Sequence, residues 1–550
     1  MTTTPAKKAD RQAREAACRA AQYLAARVRP DGSIHAPCES RVLESALALR
    51  LLEAHEIGPN AQQLRAFLTA ARRRSDASRL DMVLAAAALR LPVPEEAHLA
   101  EKITNGIDHF TAGRKRVLLE TVLYAVGATG EVTPPPPEIF DAGDLQIWKQ
   151  AEMTACKVIL AHALGKHEEW IRQDDLRLLA SLLRPDRIWE GNILVHLLVL
   201  SALHHFPGYQ QQTRDGLTAI LAAQRHDGGF TLCPDMNVTL TGLAATALAE
   251  ADADQDLLQR MNNWIAARQD PTGGWVYSAT TTQTDVETTA FVMEALHTVS
   301  PRTYSAQLRR GCTYLQRMQN PDGGVPNYQP SNPSETSITG ETVTILSAQP
   351  RYTVPVQRAV YFIIDQQHAD GGFALNWSAS DTNVILRACH GMQNAITHGR
   401  LQPPLEQAAR HAIHRSTAFL RNRQNPDGGW GQQPGQPSDP TSTAFALSTL
   451  GITHPDHDTA VRGATYLYNA QGPDGAFTAP PDTYSPRFIP IDFKPLPTIY
   501  ALRALTHTLK ALGEEAGVPL REECPPSFPP PDVPARPGRQ DHSRRDRRDR

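Results

Sequence analysis

Several absences bound what this chain can be. No apolar run reaches the ~20 residues a helix needs to span a bilayer, so membrane contact is expected to be peripheral at most. Neither sign of charge prevails: 55 lysines and arginines against 58 aspartates and glutamates leave a formal net charge of −3. That balance excludes the global basic field of a nucleic-acid binder and the strong acidity of a solvating chain. Cysteines are few, odd in number at seven, and never in a CxxC or Cys/His metal spacing. Free thiols in a reduced compartment fit this better than a disulfide framework. Residues 1–10 are polar and include Lys7 and Lys8, without the apolar core of a secretory leader, and a cytoplasmic setting is the expectation.

What the chain does have is length and repetition. Its 550 residues suffice for two or three domains with a sizeable core in each. One element recurs: a glutamine, then six residues later an aromatic or apolar residue behind a glycine pair. It reads Gln224…Gly228-Gly229-Phe230, Gln269…Gly273-Gly274-Trp275 and Gln319…Gly323-Gly324-Val325. It continues as Gln367…Gly371-Gly372-Phe373, Gln424…Gly428-Gly429-Trp430 and Gln471…Gly475-Ala476-Phe477, with a period of 45 to 57 residues. Each copy lies between two helical patterns, and Asp-Gly-Gly marks a tight turn in which glycine takes positive φ freely. A helix–turn–helix unit cannot bury both apolar faces alone, so neighbours must stack. Six such pairs close an α/α barrel with the second helices inside; an open solenoid is the alternative. The glycines and rings are expected to brace the exterior rather than to touch a ligand.

The expected fold is therefore all-α, with two α/α-barrel domains, the C-terminal one an (α/α)6 barrel. Residues 1–28 read as an N-terminal helix packing on that barrel, 29–206 as a degenerate helical domain and 207–515 as the repeat-built domain. Pro30-Asp31-Gly32 is a weakened copy of the turn signal, and Pro134–Pro137 marks a loop. The segment 522–550, rich in proline and then in arginine and aspartate, reads as a solvated, disordered tail, with RNA binding the minor alternative.

One repeat carries acids compactly: Thr284-Asp285-Val286-Glu287-Thr288-Thr289 at the start of an inner helix. Two readings compete. Aspartate and threonine cap free N–H groups, and acids complement the dipole at a helix start. Alternatively, Asp285 keeps Glu287 protonated through hydrogen bonding and like-charge repulsion, making it a proton donor.

The repeats, with Gly274-Trp275 leading to Asp285–Thr289, resemble the squalene–hopene cyclase and class II terpene cyclase family, whose repeats are called QW motifs. The family's acid motif is Asp-X-Asp-Asp. A bacterial variant, Asp-X-Asp-Thr-Thr, occurs in cyclases of prenyl diphosphates such as drimenyl and halimadienyl diphosphate synthases. Here it reads Asp-X-Glu-Thr-Thr, one methylene longer, which shifts the proton by about 1 Å, and misplacement on that scale can cost on the order of 100-fold. Pro333-Ser334-Glu335, Gly428–Gly431 and Ile489–Phe493 extend the resemblance from about Gln224 to Leu505.

The resemblance implies that Glu287 protonates an alkene, with Asp285 and Thr288 tuning it. The family's supporting His or Asn falls near Thr342, with Glu341 beside it. Phe493 would stabilise a carbocation through its ring face. The Thr-Thr form implies a linear prenyl diphosphate of 15 or 20 carbons cyclised with the diphosphate retained. Arg225, Arg487 and Lys494 are the phosphate-binding candidates. Mg2+ would only assist that binding; no organic cofactor and no protein-held metal are expected, and no Asp-Asp-X-X-Asp cluster is present for ionising the diphosphate. A monomer or homodimer without nucleic acid is expected. Three alternatives stay open: a squalene-type triterpene cyclase, a prenyl-binding barrel without turnover or with zinc near Cys389-His390, and a glycan-active barrel with paired carboxylates.

Overall fold

The computed structural model describes residues 5–75, 77–93, 98–105, 110–375, 377–453, 457–485 and 489–512. The tail call at 522–550 and Arg487 lie outside the described residues. The chain opens with α1 (Pro5–Ala25), α2 (Val42–Ala54), α3 (Gly58–Ala71), α4 (Arg79–Ala88), α5 (Leu99–Thr104) and α6 (Ala112–Val126). There follow α7 (Ile147–Ala163), α8 (His167–Trp170), α9 (Gln173–Leu182), α10 (Ile193–Leu203) and α11 (Gln210–Ala223). Next come α12 (Asn237–Glu250), α13 (Gln255–Ala266), α14 (Val286–Val299), α15 (Ser305–Arg317), α16 (Thr336–Leu346) and α17 (Thr353–Asp365). The chain ends in α18 (Asp381–Thr397), α19 (Pro403–Asn422), α20 (Pro440–Thr453), α21 (His457–Ala470) and α22 (Leu496–Leu512). One two-stranded antiparallel ribbon, β1 (Thr483–Tyr484) with β2 (Pro490–Ile491), precedes α22.

Six helices, α12, α14, α16, α18, α20 and α22, touch in sequence and close on themselves through α12 against α22. Their composition explains the placement. α12 buries Val238 to Leu248 without a break, so it is apolar or small on every side and must lie inside. α13 buries only Leu258, Met261, Asn262, Trp264, Ile265 and Ala266, one stripe, and so lies outside. A smaller ring of α2, α6, α7 and α10 forms the core of the first domain, flanked by α3, α4, α5, α9 and α11. The expected all-α double-barrel architecture is what is found.

The repeat glutamines do brace the exterior. Gln269 Nε2 donates to the Gly273 carbonyl (2.8 Å) and across to the Gln307 carbonyl at the next outer helix (2.9 Å). Gln319, Gln424 and Gln471 repeat this with Pro355, Thr459 and Ala16. Glycine is required in these turns: Gly273 has φ +99°, and a Cβ there would lie 2.6 Å from the Arg310 carbonyl oxygen.

Two details depart from the simplest reading of the repeats. The sixth outer helix of the barrel is α1, which packs on α21, α22 and α12. The Gln224 turn instead packs on α3 of the first domain, through Asn60 and the Gln63 carbonyl. The barrel's sixth turn is the weakened Gly32 copy, seated on Arg260 of α13. α11, beyond the expected boundary, also stays with the first domain, against α9 and α10. The two domains thus exchange strands of connection, because a repeat specifies its local turn but not which ring its helices join. Cys38, Cys156, Cys233, Cys312 and Cys389 are buried free thiols, whereas Cys18 is disulfide-bonded, against the expectation of free thiols throughout.

Candidate active site

The acid segment begins α14. Asp285 is its N-cap: Oδ1 accepts from the Thr288 N–H at 2.7 Å, while its own N–H donates to the Trp275 carbonyl at 3.0 Å. Thr289 Oγ1 accepts from the Trp275 N–H at 2.9 Å. The same hydroxyl position recurs as Thr339, Thr443 and Thr498, each accepting from the residue after its turn. Thr289 is therefore part of the repeat. Thr288 Oγ1 meets Thr239 Oγ1 of α12 at 2.8 Å and pins two inner helices together.

Glu287 breaks the pattern. Two residues before the repeated hydroxyl, α16, α20 and α22 carry Ser337, Thr441 and Leu496, where α14 places a carboxyl. Its N–H is held by Asn327 Oδ1 at 3.0 Å, and the Val286 N–H by the Asn327 carbonyl at 2.9 Å. The side chain borders a cavity with Met236, Leu240, Leu243, Phe291, Val384, Phe493, Leu496 and Tyr500 as apolar or aromatic wall. Ser337, Ser378, Asn383 and Asp482 are polar members of the same wall.

Electrostatics separate the two acids of the segment. Burial pushes Asp285 up to about 8 against the pull of its cap hydrogen bond, with Glu287 adding repulsion, and Oδ2 is buried without a hydrogen-bond partner. Burial also raises Glu287; Arg387 opposes it and Asp482 reinforces it. The like charge acting on Glu287 thus comes from Asp482 as well as from Asp285, whose repulsion with Glu287 is mutual, although Asp285 faces its own helix end and does not border the cavity.

Beneath the cavity the barrel is unexpectedly ionic. Arg387 is buried, its Nε 3.1 Å from Glu341 Oε1, its guanidinium 4.7 Å from the Phe291 ring centroid and 5.8 Å from that of Tyr500. Gly340 and Gly391 make this possible: a Cβ on Gly340 would meet the Arg387 carbonyl oxygen at 2.3 Å, so α16 and α18 run in backbone contact. Farther in, Arg503 clamps Glu250 (2.9 Å) and Glu294 (2.7 Å), and holds both carboxylates below their ordinary range despite burial.

A second hollow lies between the first domain and the barrel loops. Lys115 of α6 and Lys149 of α7 border it, as do Glu152, Asn327 and Glu335. Lys149 pairs with Glu152, and both lysines are buried. Trp377 borders both this cleft and the Glu287 cavity. Tyr328 stands between Trp148 and Trp377, with ring centroids at 4.7 and 6.1 Å. Glu190, in a left-handed conformation (φ 52°), fixes the loop before the acid segment by accepting from Thr282 N (2.7 Å) and Oγ1 (2.6 Å).

Of the residues singled out from sequence, Asp285, Glu287, Thr288 and Phe493 gather at this end of the barrel. Thr342 is buried with its hydroxyl unpartnered among the described residues, and it does not border the cavity. Arg225 is turned away: Nη1 donates to the Cys38 carbonyl at 2.6 Å and ties the two domains. Lys494 is exposed and borders neither hollow. Sequence reasoning missed Lys115, Lys149, Asn327, Glu190, Arg387 and Asp482, which carry no local motif. Among the described residues, no three His, Cys, Asp or Glu side chains are grouped to hold a metal ion, and Cys389 is a buried thiol pushed up to about 12 by burial.

Comparison with known proteins agrees with this architecture. Residues 329–510 match the squalene-hopene cyclase C-terminal domain, and residues 193–276 and 236–380 the prenyltransferase alpha-alpha toroid domain. The chain belongs to the class II terpene cyclases of the squalene–hopene cyclase type. It is 35% identical over 503 residues to a drimenyl diphosphate synthase of Streptomyces showdoensis, covering 89% of this chain and 93% of that one. It is 34% identical over 522 residues to a drimenyl diphosphate synthase of Streptantibioticus cattleyicolor, covering 92% and 96%. Among solved structures it is similar to the ent-copalyl diphosphate synthase of Streptomyces platensis, with 18% identity, a TM-score of 0.49, and 92% and 95% covered. These relatives overturn the zinc-barrel and glycan-active alternatives. Among the described residues, no helix is long and apolar enough to cross a membrane.

Proposed function

We propose that this cyclase converts a linear prenyl diphosphate, farnesyl or geranylgeranyl, to a bicyclic drimane- or labdane-type diphosphate with the diphosphate retained. Glu287 is the proton donor. The observation that carries this reading is a carboxyl with raised proton affinity bordering a largely apolar cavity, next to a lysine-bearing cleft. The hydrocarbon chain lies in the cavity and the diphosphate in the cleft, with Trp377 at the junction.

Burial raises the proton affinity of Glu287, and the apolar wall withholds water, so the proton passes to the terminal alkene rather than to solvent. The π electrons of that alkene take the proton, and successive alkenes close two rings onto the resulting cation. Phe291, Phe493 and Tyr500 turn aromatic surface toward the positive charge. Asp285 fixes the helix end that aims Glu287, and Thr288 ties that helix to α12. The phosphate-binding role moves from Arg225 and Lys494 to Lys115 and Lys149, which border the cleft. Mg2+ fits here as a companion of the diphosphate. It keeps several waters and needs one or two carboxylates besides phosphate oxygens, and Glu152 and Glu335 border the cleft to supply them.

The test is incubation with farnesyl diphosphate, geranylgeranyl diphosphate and squalene, followed by phosphatase and mass spectrometry. A cyclic alcohol released only by phosphatase is the expected product. A pentacyclic hydrocarbon from squalene would move the protein to the triterpene branch, and no cyclic product from any of the three would sink the catalytic reading.

A further inference from the structure

The reaction proposed above begins with a proton entering and has to end with one leaving. Starting substrate and product are isomers, so the last cation must give up a proton from a neighbouring carbon. Of the residues bordering the cavity, two are carboxylates, Glu287 and Asp482. Glu287 is spent as the acid. Asp482 lies in the loop before β1, buried, and three donors fix its carboxylate: the Ser380 N–H on Oδ1 at 2.9 Å, and Ser378 Oγ (2.6 Å) and Asn383 Nδ2 (3.1 Å) on Oδ2. Those donors hold the carboxylate in a fixed place on the cavity wall. No cation is paired with it at salt-bridge distance among the described residues, whereas Glu341, Glu250 and Glu294 deeper in the barrel are each bound to an arginine. The other polar groups of the wall, Ser337, Ser378, Asn383, Thr483 and the Tyr500 hydroxyl, are neutral and far weaker bases.

We infer that Asp482 is the base that ends the reaction. In that step a C–H bond adjacent to the ring cation breaks. Its electron pair becomes the new C=C bond, and the proton forms an O–H bond on Asp482. One positive and one negative charge are neutralised together, so the net charge in the cavity is unchanged, and the diphosphate is untouched. The proton is then passed on to solvent, from which Glu287 is recharged, its proton affinity raised in part by the neighbouring Asp482 charge. This inference rests on the cyclase reading and adds to it the residue that chooses the position of the double bond.

Asp482 also clamps residues 378–383 to its own loop, so the test must separate base from clamp. Wild type, Asp482→Asn and Asp482→Glu are incubated with farnesyl and geranylgeranyl diphosphates in H2(18)O, treated with phosphatase, and the products resolved by gas chromatography and mass spectrometry. The inference expects Asp482→Asn to consume substrate but to shift its product from the wild-type alkene to isomeric alkenes and a tertiary alcohol carrying the heavy oxygen. Asp482→Glu should restore most of the wild-type double bond. An unchanged alkene in Asp482→Asn, at whatever rate, overturns the inference, as does a folded Asp482→Asn protein that consumes nothing, since protonation precedes this step. Should Asp482→Asn fail to fold, Asp482→Ser takes its place: isomeric alkenes or the labelled alcohol support the base, and the wild-type alkene alone overturns it. Failure of the cyclase reading itself looks different, because wild type would then give no cyclic product.

Discussion

At the start of α14, Asp285 hydrogen-bonds the Trp275 carbonyl, caps Thr288, and leaves Thr289 to accept from the Trp275 N–H. At the start of α20, Asp439 does the same with Trp430, Ser442 and Thr443. Both tryptophans are fully buried and both indoles donate at 2.8 Å to the preceding outer helix, at Ile265 and Leu420. Burial raises the proton affinity of both aspartates. The two sites differ at the position between cap and hydroxyl, where α14 has Glu287 and α20 has Thr441. Most of the acid motif is thus scaffold that the barrel uses elsewhere without chemistry. In the proposed reaction, what sets one copy apart is a single carboxyl, together with the cavity, Arg387 and Asp482 around it.

Substitution at the two equivalent positions gives the widest contrast. Glu287→Gln is expected to cut turnover by roughly 10^2- to 10^4-fold, the usual contribution of a positioned general acid, with the melting temperature little changed. Thr441→Ala should cost less than about 10-fold, since a remote positional effect is the most it can exert. Steady-state kinetics on folded protein checks both.

The tryptophans should behave alike. Trp275→Ala and Trp430→Ala are each expected to destabilise by about 3–5 kcal/mol, measured by chemical denaturation. A large inequality would mean that the two turns are not equivalent scaffolds. Removing charge below the cavity is next: Glu341→Gln leaves Arg387 buried without its partner, a loss of about 3–5 kcal/mol for a broken buried pair. It also strengthens the Arg387 field on Glu287. The alkaline limb of the pH–rate profile should therefore move to lower pH, a shift that a packing defect alone does not produce.

The caps give the smallest effects. Asp285→Asn and Asp439→Asn should each change stability by about 0.5–2 kcal/mol. pH separates them further. Asp285 binds its proton up to about 8 when folded and only to about 3.9 when unfolded, so between those values the folded state holds the extra proton. Its contribution is fully present below about 4 and is lost as pH rises through about 8, and Asp285→Asn should flatten that slope. Activity follows the same sign, because Glu287 donates only while protonated and its affinity is raised: rate is expected to fall with rising pH.

The sequence made the repeat units legible because glutamine, glycine and ring lie within one turn of each other, and the cap at Asp285 is equally local. It did not reveal which ring each unit joins. The Gln224 turn belongs to the first domain, since that is decided by packing against Asn60, 164 residues away in the chain. The same holds for chemistry. Glu287 stood out beside its neighbours, but Asp482, Arg387, Lys115 and Lys149 reach the site by topology alone, from a loop, an inner helix and the first domain. Arg225 and Lys494 were suggested by charge and lie elsewhere, for charge without a fold says nothing of direction.

The most direct test of Glu287 as the acid is the isotope content of the product formed from farnesyl diphosphate in D2O by wild type and by Glu287→Gln. Wild type should yield a cyclic diphosphate carrying one deuterium on the carbon protonated first, and Glu287→Gln only traces of it. An unlabelled cyclic product, or a labelled one undiminished in Glu287→Gln, would contradict that assignment.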